Sequence, residues 1–234
     1  MIAIAIKKKK VLKFSVLFGS GERARESAGM EKSLEAQQQV LRGSRRRLLL
    51  MRHAKSSWNQ PLSDARRPLN DRGKASAQAV SRELARRNLL PELVLSSDAR
   101  RTKETYEHMC KASPELERAH VHYLPEFYGI FNTSATSVIM DLVWEKTNAL
   151  RPKEVETVLC LGHNDGWELA LNELVDRKTS LPFFEGGELA MKTADVYVLE
   201  QPENDDDFKS WDDIFTSHGK WSIETYIRSR KLIS

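Results

Sequence analysis

Cysteine is scarce and long apolar runs are missing from this chain of 234 residues. Its two cysteines, Cys110 and Cys160, lie far apart and form no C-x-x-C pair, which argues against a disulfide framework and against a zinc knuckle. No apolar run approaches the ~18 residues that a membrane-spanning helix needs. With 40% hydrophobic and 30% charged residues, the composition is that of a globular protein and excludes collagen-like or wholly disordered chains.

Positive charge is confined to the first fifth of the chain. Residues 1–47 hold 12 Lys or Arg against 4 Glu, a net charge of +8, whereas the remainder holds 25 basic and 29 acidic residues, a net charge of −4. The basic total therefore does not indicate that the body of the protein binds nucleic acid or a membrane. We expect a basic extension over residues 1–47 and one folded domain over residues 48–234.

The extension has no acidic residue before Glu22 and alternates lysine clusters with short apolar runs. This pattern is closer to an organelle transit peptide than to a secretory signal, which would carry one uninterrupted apolar block after its charges. A disordered basic tail and a start codon misassigned upstream of Met30 or Met51 are the alternatives. A transit peptide would place the protein in the chloroplast or mitochondrion, and otherwise we expect it in the cytoplasm.

Downstream of the extension, short apolar runs alternate with segments of helical spacing. Such alternation is typical of βαβ units and predicts an α/β fold, with a mostly parallel central sheet covered by helices on both faces as a three-layer α/β/α sandwich. The predicted strands are Leu48–Met51, Leu93–Leu95, Val121–Leu124, Val155–Leu161, Ala194–Leu199 and a terminal strand near Trp221–Ile227. The predicted helices are Ala75–Arg87, Asp98–Lys111, Thr136–Ala149 and Trp167–Val175.

Polar side chains follow the apolar runs at the point where each predicted strand ends. In a parallel sheet these carboxyl ends form the ligand-binding edge, so the side chains should converge there. Several cationic or imidazole groups gathered at one edge would repel one another unless an anion binds between them. The converging residues are Arg52 and His53, then Ser97 and Arg100, then Glu126, and finally His163.

This set of residue types suits phosphoryl transfer through a histidine. The guanidinium groups of Arg52 and Arg100 can clamp phosphate oxygens, and Ser97 is placed to cap the following helix. His53 is the candidate nucleophile, because an imidazole nitrogen can accept a phosphoryl group and pass it to water. His163 would hydrogen-bond to the equatorial oxygens in the transition state.

The motifs around these residues resemble the histidine phosphatase (phosphoglycerate mutase-like) superfamily, and within it the SixA-type phosphohistidine phosphatases. The resemblance spans roughly residues 48–199 and rests on Leu50-Met51-Arg52-His53-Ala54-Lys55-Ser56-Ser57-Trp58, Arg67-Pro68-Leu69-Asn70-Asp71-Arg72-Gly73, Leu95-Ser96-Ser97-Asp98-Ala99-Arg100-Arg101-Thr102 and Leu161-Gly162-His163-Asn164.

The resemblance implies that His53 forms a phosphohistidine intermediate and that Arg52, Arg100 and His163 complete the phosphate pocket. It implies that the Gly73 region orients the other nitrogen of His53 through a backbone carbonyl. It also adds Ser97 and Asn164 to the substrate-binding set, and it places Glu126 where many members keep the acid that protonates the leaving group.

A phosphatase acting on phosphohistidine proteins or small phosphorylated compounds is therefore the leading hypothesis. A phosphoglycerate mutase-type transferase and a non-catalytic phosphate-binding scaffold are the alternatives. We expect no metal, no cofactor, no nucleic-acid partner, no membrane contact and a monomer. Trp58 and Trp167 flank the predicted pocket and could contact a substrate.

Overall fold

A computed structural model describes residues 46–129, 135–150, 155–184, 187–201, 210–216 and 218–233. The predictions for the basic extension concern residues that, apart from the last two, lie outside this description. Within it, one sheet of six strands has the order β3-β2-β4-β1-β5-β6. The strands are β1 Arg47–Arg52, β2 Leu93–Ser97, β3 His120–Leu124, β4 Thr157–Gly162, β5 Val196–Glu200 and β6 Ser222–Ile227.

The sheet is mostly parallel, as the sequence predicts. β1 pairs in parallel with β4, β4 with β2, and β2 with β3. β5 runs antiparallel to β1, and β6 runs antiparallel to β5. The parallel core therefore brings the carboxyl ends of β1, β4 and β2 side by side, at the edge where we expect the site.

Four α-helices cover the two faces of the sheet. They are α1 Asp71–Arg86, α2 Arg100–Ala112, α3 Ala135–Ala149 and α4 Gly166–Leu174. α1 begins four residues before the predicted start, because the Asn70 side chain accepts a hydrogen bond from the Gly73 amide (2.8 Å) and caps the helix. The other predicted helices and strands agree with the structure to within two residues at each end.

Alternate side chains of β1 enter two separate apolar clusters, one on each face of the sheet. Leu48 and Leu50 pack on the side of α3 and α4, whereas Leu49 and Met51 pack on the side of α1 and α2. Since successive side chains of a strand point to opposite faces, a continuous apolar run is what a strand covered on both faces requires. The predicted three-layer α/β/α sandwich is confirmed. No helix among the described residues is long and apolar enough to span a membrane.

A close contact between Gly162 and Trp167 fixes the end of β4. The indole of Trp167 is fully buried, packs edge-on against Phe127 with ring centroids 5.1 Å apart, and donates a hydrogen bond to the Cys160 carbonyl (3.0 Å). A Cβ atom at Gly162 would overlap this indole. Glycine is therefore needed there to let the helix that follows His163 fold back over the strand.

We expect Gly162→Ala to lower the free energy of unfolding by about 1–3 kcal/mol, because the added methyl group overpacks a closed core. Chemical denaturation of the full chain measures this. Gly129→Ala is the matched control, since a Cβ there meets nothing within 4 Å. Equal stability of the two variants would contradict the role assigned to the Gly162–Trp167 contact.

Candidate active site

The site begins where β1 and β4 end. His53 directly follows β1, and its amide donates to the carbonyl of Gly162, the last residue of β4 (3.0 Å). His163 directly follows Gly162, and the imidazole rings of His53 and His163 have centroids 5.1 Å apart. Parallel pairing of the two strands, with Arg52 opposite Gly162, thus brings two histidines into one buried cluster.

Arg101, in the first turn of α2, bridges the two imidazoles. Its Nε donates to Nε2 of His53 (3.2 Å) and its Nη2 donates to Nδ1 of His163 (3.0 Å). The Arg101 side chain is only 6% exposed, and Asp64 holds it through an ion pair to the carboxylate (3.0 Å) and a hydrogen bond to the backbone carbonyl (2.8 Å). Because a guanidinium only donates, the ring nitrogens that face Arg101 must be unprotonated.

The remaining nitrogen of each ring has an acceptor. Nδ1 of His53 donates to the Ala54 carbonyl (2.7 Å), and Nε2 of His163 donates to the Ser97 hydroxyl oxygen (2.9 Å). Both rings are thereby fixed as neutral tautomers. His53 has its proton on Nδ1 and a lone pair on Nε2, which is the arrangement a nucleophilic imidazole needs.

Burial reinforces the neutral state of both rings. Removal from water is the main cause that lowers the pKa of His53 well below its usual value, and the neighbouring His163, Arg101 and Arg52 add to the effect. Burial and then the charge of Arg101 lower the pKa of His163 to about 3. The two imidazoles therefore stay uncharged near neutral pH, beside cations that would otherwise repel them.

Arg52 completes the cationic floor of the site. Its Nη1 donates to the Met191 carbonyl (2.8 Å), while its buried Nε has no hydrogen-bond partner among the described residues. Burial lowers the pKa of Arg52 from its usual value, and nearby carboxylates such as Glu168 oppose this. A buried donor without a partner is costly, so the Arg52 guanidinium is suited to meet an anion.

A cavity of about 290 Å³ opens above these groups. Four of the residues lining it carry cations, and Asp64 is the sole carboxylate among them. This balance suits an oxyanion such as a phosphoryl group. The lining residues are Arg52, His53, Lys55, Ser56, Trp58, Asp64, Arg67, Arg101 and Thr193.

Arg100 does not lie in this cluster, and its assignment to the pocket is corrected. Its side chain is 52% exposed and pairs with Glu104, one helical turn on (2.7 Å). Successive residues of an α-helix point about 100° apart, and here α2 buries the side chain of Arg101 and turns that of Arg100 to solvent. Arg101 shares its buried face with Thr105 and Met109 at spacings of four, and this periodicity is the signal that could have identified it.

Glu126 and Gly73 take no direct part in the cluster. Glu126 is exposed on a 3-10 turn, and no described residue hydrogen-bonds to its side chain. The carbonyl that accepts from His53 belongs to Ala54, and the Gly73 region does not supply it. Gly73 instead lies where α1 passes the Lys55 backbone so closely that a Cβ would overlap the Lys55 carbonyl.

Ser97 contacts the cluster, but Asn164 and Trp167 contact other parts of the fold. Ser97 lies two residues before the helix N-cap, where its hydroxyl accepts from the Ala99 amide (3.3 Å) as well as from His163. The Asn164 amide donates to the Met191 carbonyl (3.2 Å). Trp167 belongs to the core, so of the two tryptophans predicted to flank the pocket only Trp58 lines the cavity.

Lys55, Asp64, Arg67 and Thr193 line the cavity without having been assigned from the sequence. Lys55 lies in the motif of residues 50–58 and Arg67 in that of residues 67–73, but neither follows a strand directly. The sequence pattern therefore does not indicate where they lie relative to the edge of the sheet. Asp64 begins a short 3-10 helix, Asp64–Arg66, and Thr193 comes from a loop. Among the described residues, no group of three or more His, Cys, Asp or Glu side chains could hold a metal ion.

The fold and this site are suited to bind an oxyanion beside two histidines, and the comparisons with known proteins identify the family. Residues 48–156 match the family model described as "Histidine phosphatase superfamily (branch 1)". An uncharacterized chloroplastic protein of Arabidopsis thaliana is 33% identical over 184 residues, which cover 76% of each chain. The chain belongs to the histidine phosphatase superfamily, which confirms the resemblance seen in the sequence.

Solved structures establish that the fold is SixA-like. A structure described as the phosphohistidine phosphatase SixA of Agrobacterium tumefaciens has a TM-score of 0.58 at 24% identity, covering 78% of this chain and 97% of that one. The protein histidine phosphatase SixA complexed with tungstate has a TM-score of 0.56 at 18% identity, covering 80% and 99%. A phosphoglycerate mutase of Bacillus anthracis has a TM-score of 0.51 at 16% identity, covering 77% and 92%.

We expect Arg101→Ala to weaken the binding of inorganic phosphate by at least about tenfold, because a buried charged donor to the anion is lost. Arg100→Ala is the matched control and should bind phosphate as the unaltered protein does. Isothermal titration calorimetry on the full chain measures both. A stronger loss in the Arg100 variant than in the Arg101 variant would return the phosphate-binding role to Arg100.

Proposed function

We propose that the protein is a phosphatase that hydrolyses its substrate through a covalent phosphohistidine on His53. The observation that carries this proposal is the Arg101 bridge between two neutral imidazoles, of which His53 lines a cationic cavity together with Arg101. The bridge leaves a lone pair on His53 Nε2 next to donors that can hold a phosphoryl group. Membership of the superfamily supports a phosphatase or mutase type of activity.

In the first step, Nε2 of His53 attacks phosphorus and the bond from phosphorus to the leaving group breaks. The ring keeps its Nδ1 proton and becomes a phosphorylated imidazolium, whose positive charge the Ala54 carbonyl stabilises through the 2.7 Å hydrogen bond. Arg101 and Arg52 would neutralise the charge that spreads over the phosphoryl oxygens. Arg101 thus passes from the ring nitrogens to the oxygens as the Nε2 lone pair is used.

In the second step, water attacks phosphorus and the bond from phosphorus to Nε2 breaks. The bonding electrons return to the ring, which again becomes the neutral tautomer with its proton on Nδ1. The protons of the water stay with the phosphate that leaves. A ring already protonated on Nδ1 departs without any further proton transfer, so the Ala54 carbonyl assists both steps as the positioning group.

His163 is proposed to contact the phosphoryl oxygens through Nδ1, the ring nitrogen that faces Arg101 when no substrate is bound. Its Nε2–H is tied to Ser97, so the ring orientation is held from behind by a residue at the end of β2. Proton uptake at Nδ1 would let His163 donate to an oxyanion. Because the pKa of His163 is low without an anion, it would carry that proton only when a phosphoryl group is bound.

A phosphohistidine protein is the substrate class that we favour, with small phosphorylated compounds as the alternative. The structural neighbours described as SixA support it by their names. Glu126, the predicted general acid, does not contact the cluster, and an imidazole leaving group has less need of an acid than an alcohol has. Membership of the superfamily also admits the mutase alternative, but no contact in the described site singles out a mutase or a scaffold.

For residues 1–47 we propose a transit peptide, which would direct the protein to a chloroplast. Two observations support it: the acid-poor basic composition of the segment and the chloroplastic description of the Arabidopsis thaliana relative. Fusion of residues 1–47 to a fluorescent reporter in plant cells tests the proposal. Reporter fluorescence that stays in the cytoplasm would contradict it.

We expect His53→Ala to abolish phosphate release and to abolish acid-labile labelling of the protein, because the variant lacks the imidazole nitrogen that would accept the phosphoryl group. Phosphate release by the full chain is measured with EDTA present, from a phosphohistidine peptide and from an aryl phosphate side by side.

Preferential turnover of the peptide, lost in the variant, is the expected result. Labelling that persists in His53→Ala would refute the nucleophile assignment. No turnover of either substrate by the unaltered protein would favour the scaffold, and activity that EDTA removes and a divalent metal restores would overturn the expectation that no cofactor is needed.

A further inference from the structure

Trp58 presents an exposed aromatic ring at the rim of the catalytic cavity. It is 72% exposed, the highest value among the five tryptophans, and it lines the same cavity as His53. The guanidinium carbon of Arg67 lies 3.2 Å from the Trp58 ring centroid. Arg67 is itself buried and anchored, so it holds the indole in place from one side while most of the ring surface stays in solvent.

The anchors of Arg67 show that this arrangement is rigid. Its Nε donates to the Ser57 carbonyl (3.1 Å), its Nη1 pairs with the Asp64 carboxylate (2.7 Å), and its Nη2 donates to the Ser56 hydroxyl. A side chain held by three partners loses little further freedom when a ligand binds, and neither does the ring stacked on it. Trp58 is therefore a preorganised surface for a planar group.

Asp64 places a negative charge beside that surface. Its carboxylate pairs with Arg67 and Arg101 and accepts a hydrogen bond from the Tyr128 hydroxyl (3.0 Å), yet half of the side chain remains exposed. Partial burial acts to raise the pKa of Asp64, but the Tyr128 hydrogen bond and the charges of Arg101 and Arg67 outweigh it and lower that pKa. Asp64 is thus ionised at neutral pH and has no proton to give.

An ionised carboxylate and an aromatic ring favour one kind of leaving group over another. An alcohol departs as an alkoxide unless an acid protonates it, and Asp64 cannot supply that proton. A protonated imidazole departs as a neutral molecule, and until then it is a planar cation that stacks on indole and donates to a carboxylate.

We propose that Trp58 and Asp64 form a leaving-group subsite that takes the protonated imidazole ring of a phosphohistidine residue, with Trp58 as the stacking surface and Asp64 as the acceptor of the ring N–H. This inference rests on the proposed function. In it both residues determine specificity, whereas His53 and Arg101 act on the phosphoryl group.

The first step then needs no acid. The bond between phosphorus and His53 Nε2 forms, the bond between phosphorus and the substrate nitrogen breaks, and the bonding electrons neutralise the substrate imidazolium. The substrate ring keeps the proton that faces Asp64 and departs as neutral imidazole. Asp64 favours the protonated substrate ring, so it raises the pKa of that ring in the complex and extends turnover to higher pH.

The test compares kcat and KM of the full chain for a phosphohistidine peptide and for p-nitrophenyl phosphate, which offers the same phosphoryl group without a cationic ring. Trp58→Ala should raise KM for the peptide about fivefold with little change in kcat, and Trp58→Phe should restore most of the loss. Asp64→Asn should lower the ratio of kcat/KM for the peptide to that for the aryl phosphate about tenfold.

Asp64→Asn should also move the high-pH limb of kcat for the peptide to lower pH, which a merely structural role of Asp64 would not do. Arg100→Ala, outside the cavity, is the control for surface charge and should leave the ratio and the pH profile unchanged. The leaving-group subsite is overturned if the unaltered protein hydrolyses both substrates and the variants lower the two activities in equal proportion. If His53→Ala keeps its activity, or the unaltered protein turns over neither substrate, the proposed function itself fails.

Discussion

The contact of Arg101 with two imidazoles determines the rest of the site. A guanidinium has only donors, so each histidine must turn a lone pair toward it, and the proton of each ring must find an acceptor on the other side. Ala54 supplies that acceptor for His53 and Ser97 supplies it for His163. One buried cation therefore sets both tautomers and the orientation of both rings, and it leaves a lone pair on Nε2 of His53, the nitrogen that we propose as the nucleophile.

Such a cluster is stable only because the fold compensates its charge. A guanidinium taken out of water needs partners, and Asp64 provides two, a carboxylate oxygen and a backbone carbonyl. Desolvation disfavours charge on the imidazoles, so the histidines relieve repulsion by staying neutral. The parallel order of β2, β4 and β1 brings the polar residues at their carboxyl ends together. The strand order thus places the residues that follow these three strands next to one another.

Most of the fold could be predicted from the sequence, because a strand buried on both faces is a continuous apolar run and its end is a sudden change to polar residues. The proximity of His53, His163 and Arg52 could be predicted from that change at the ends of the strands. The assignment of the phosphate-binding arginine to Arg100 was wrong by one residue. A rule about the ends of strands does not predict which way a side chain of the following helix points. The 101, 105, 109 spacing carries that information, but it becomes decisive only when the sheet is known to lie against this face. Asp64 begins one short 3-10 helix and Tyr128 follows another, and no local pattern places them at the site.

The position of the carboxylates distinguishes this pocket most clearly from the one expected from the sequence. Glu126 was predicted as an acid near the leaving group, but it is exposed and unconnected to the histidines. Asp64 lines the cavity instead, and its cationic and hydroxyl neighbours keep it ionised. A protonated acid would assist an alcohol leaving group, which needs a proton, whereas an ionised carboxylate would favour a protonated imidazole, which needs none. Under the proposed function, the same histidine chemistry would act on esters or on phosphoramidates, and the charge state of Asp64 would shift the balance between them.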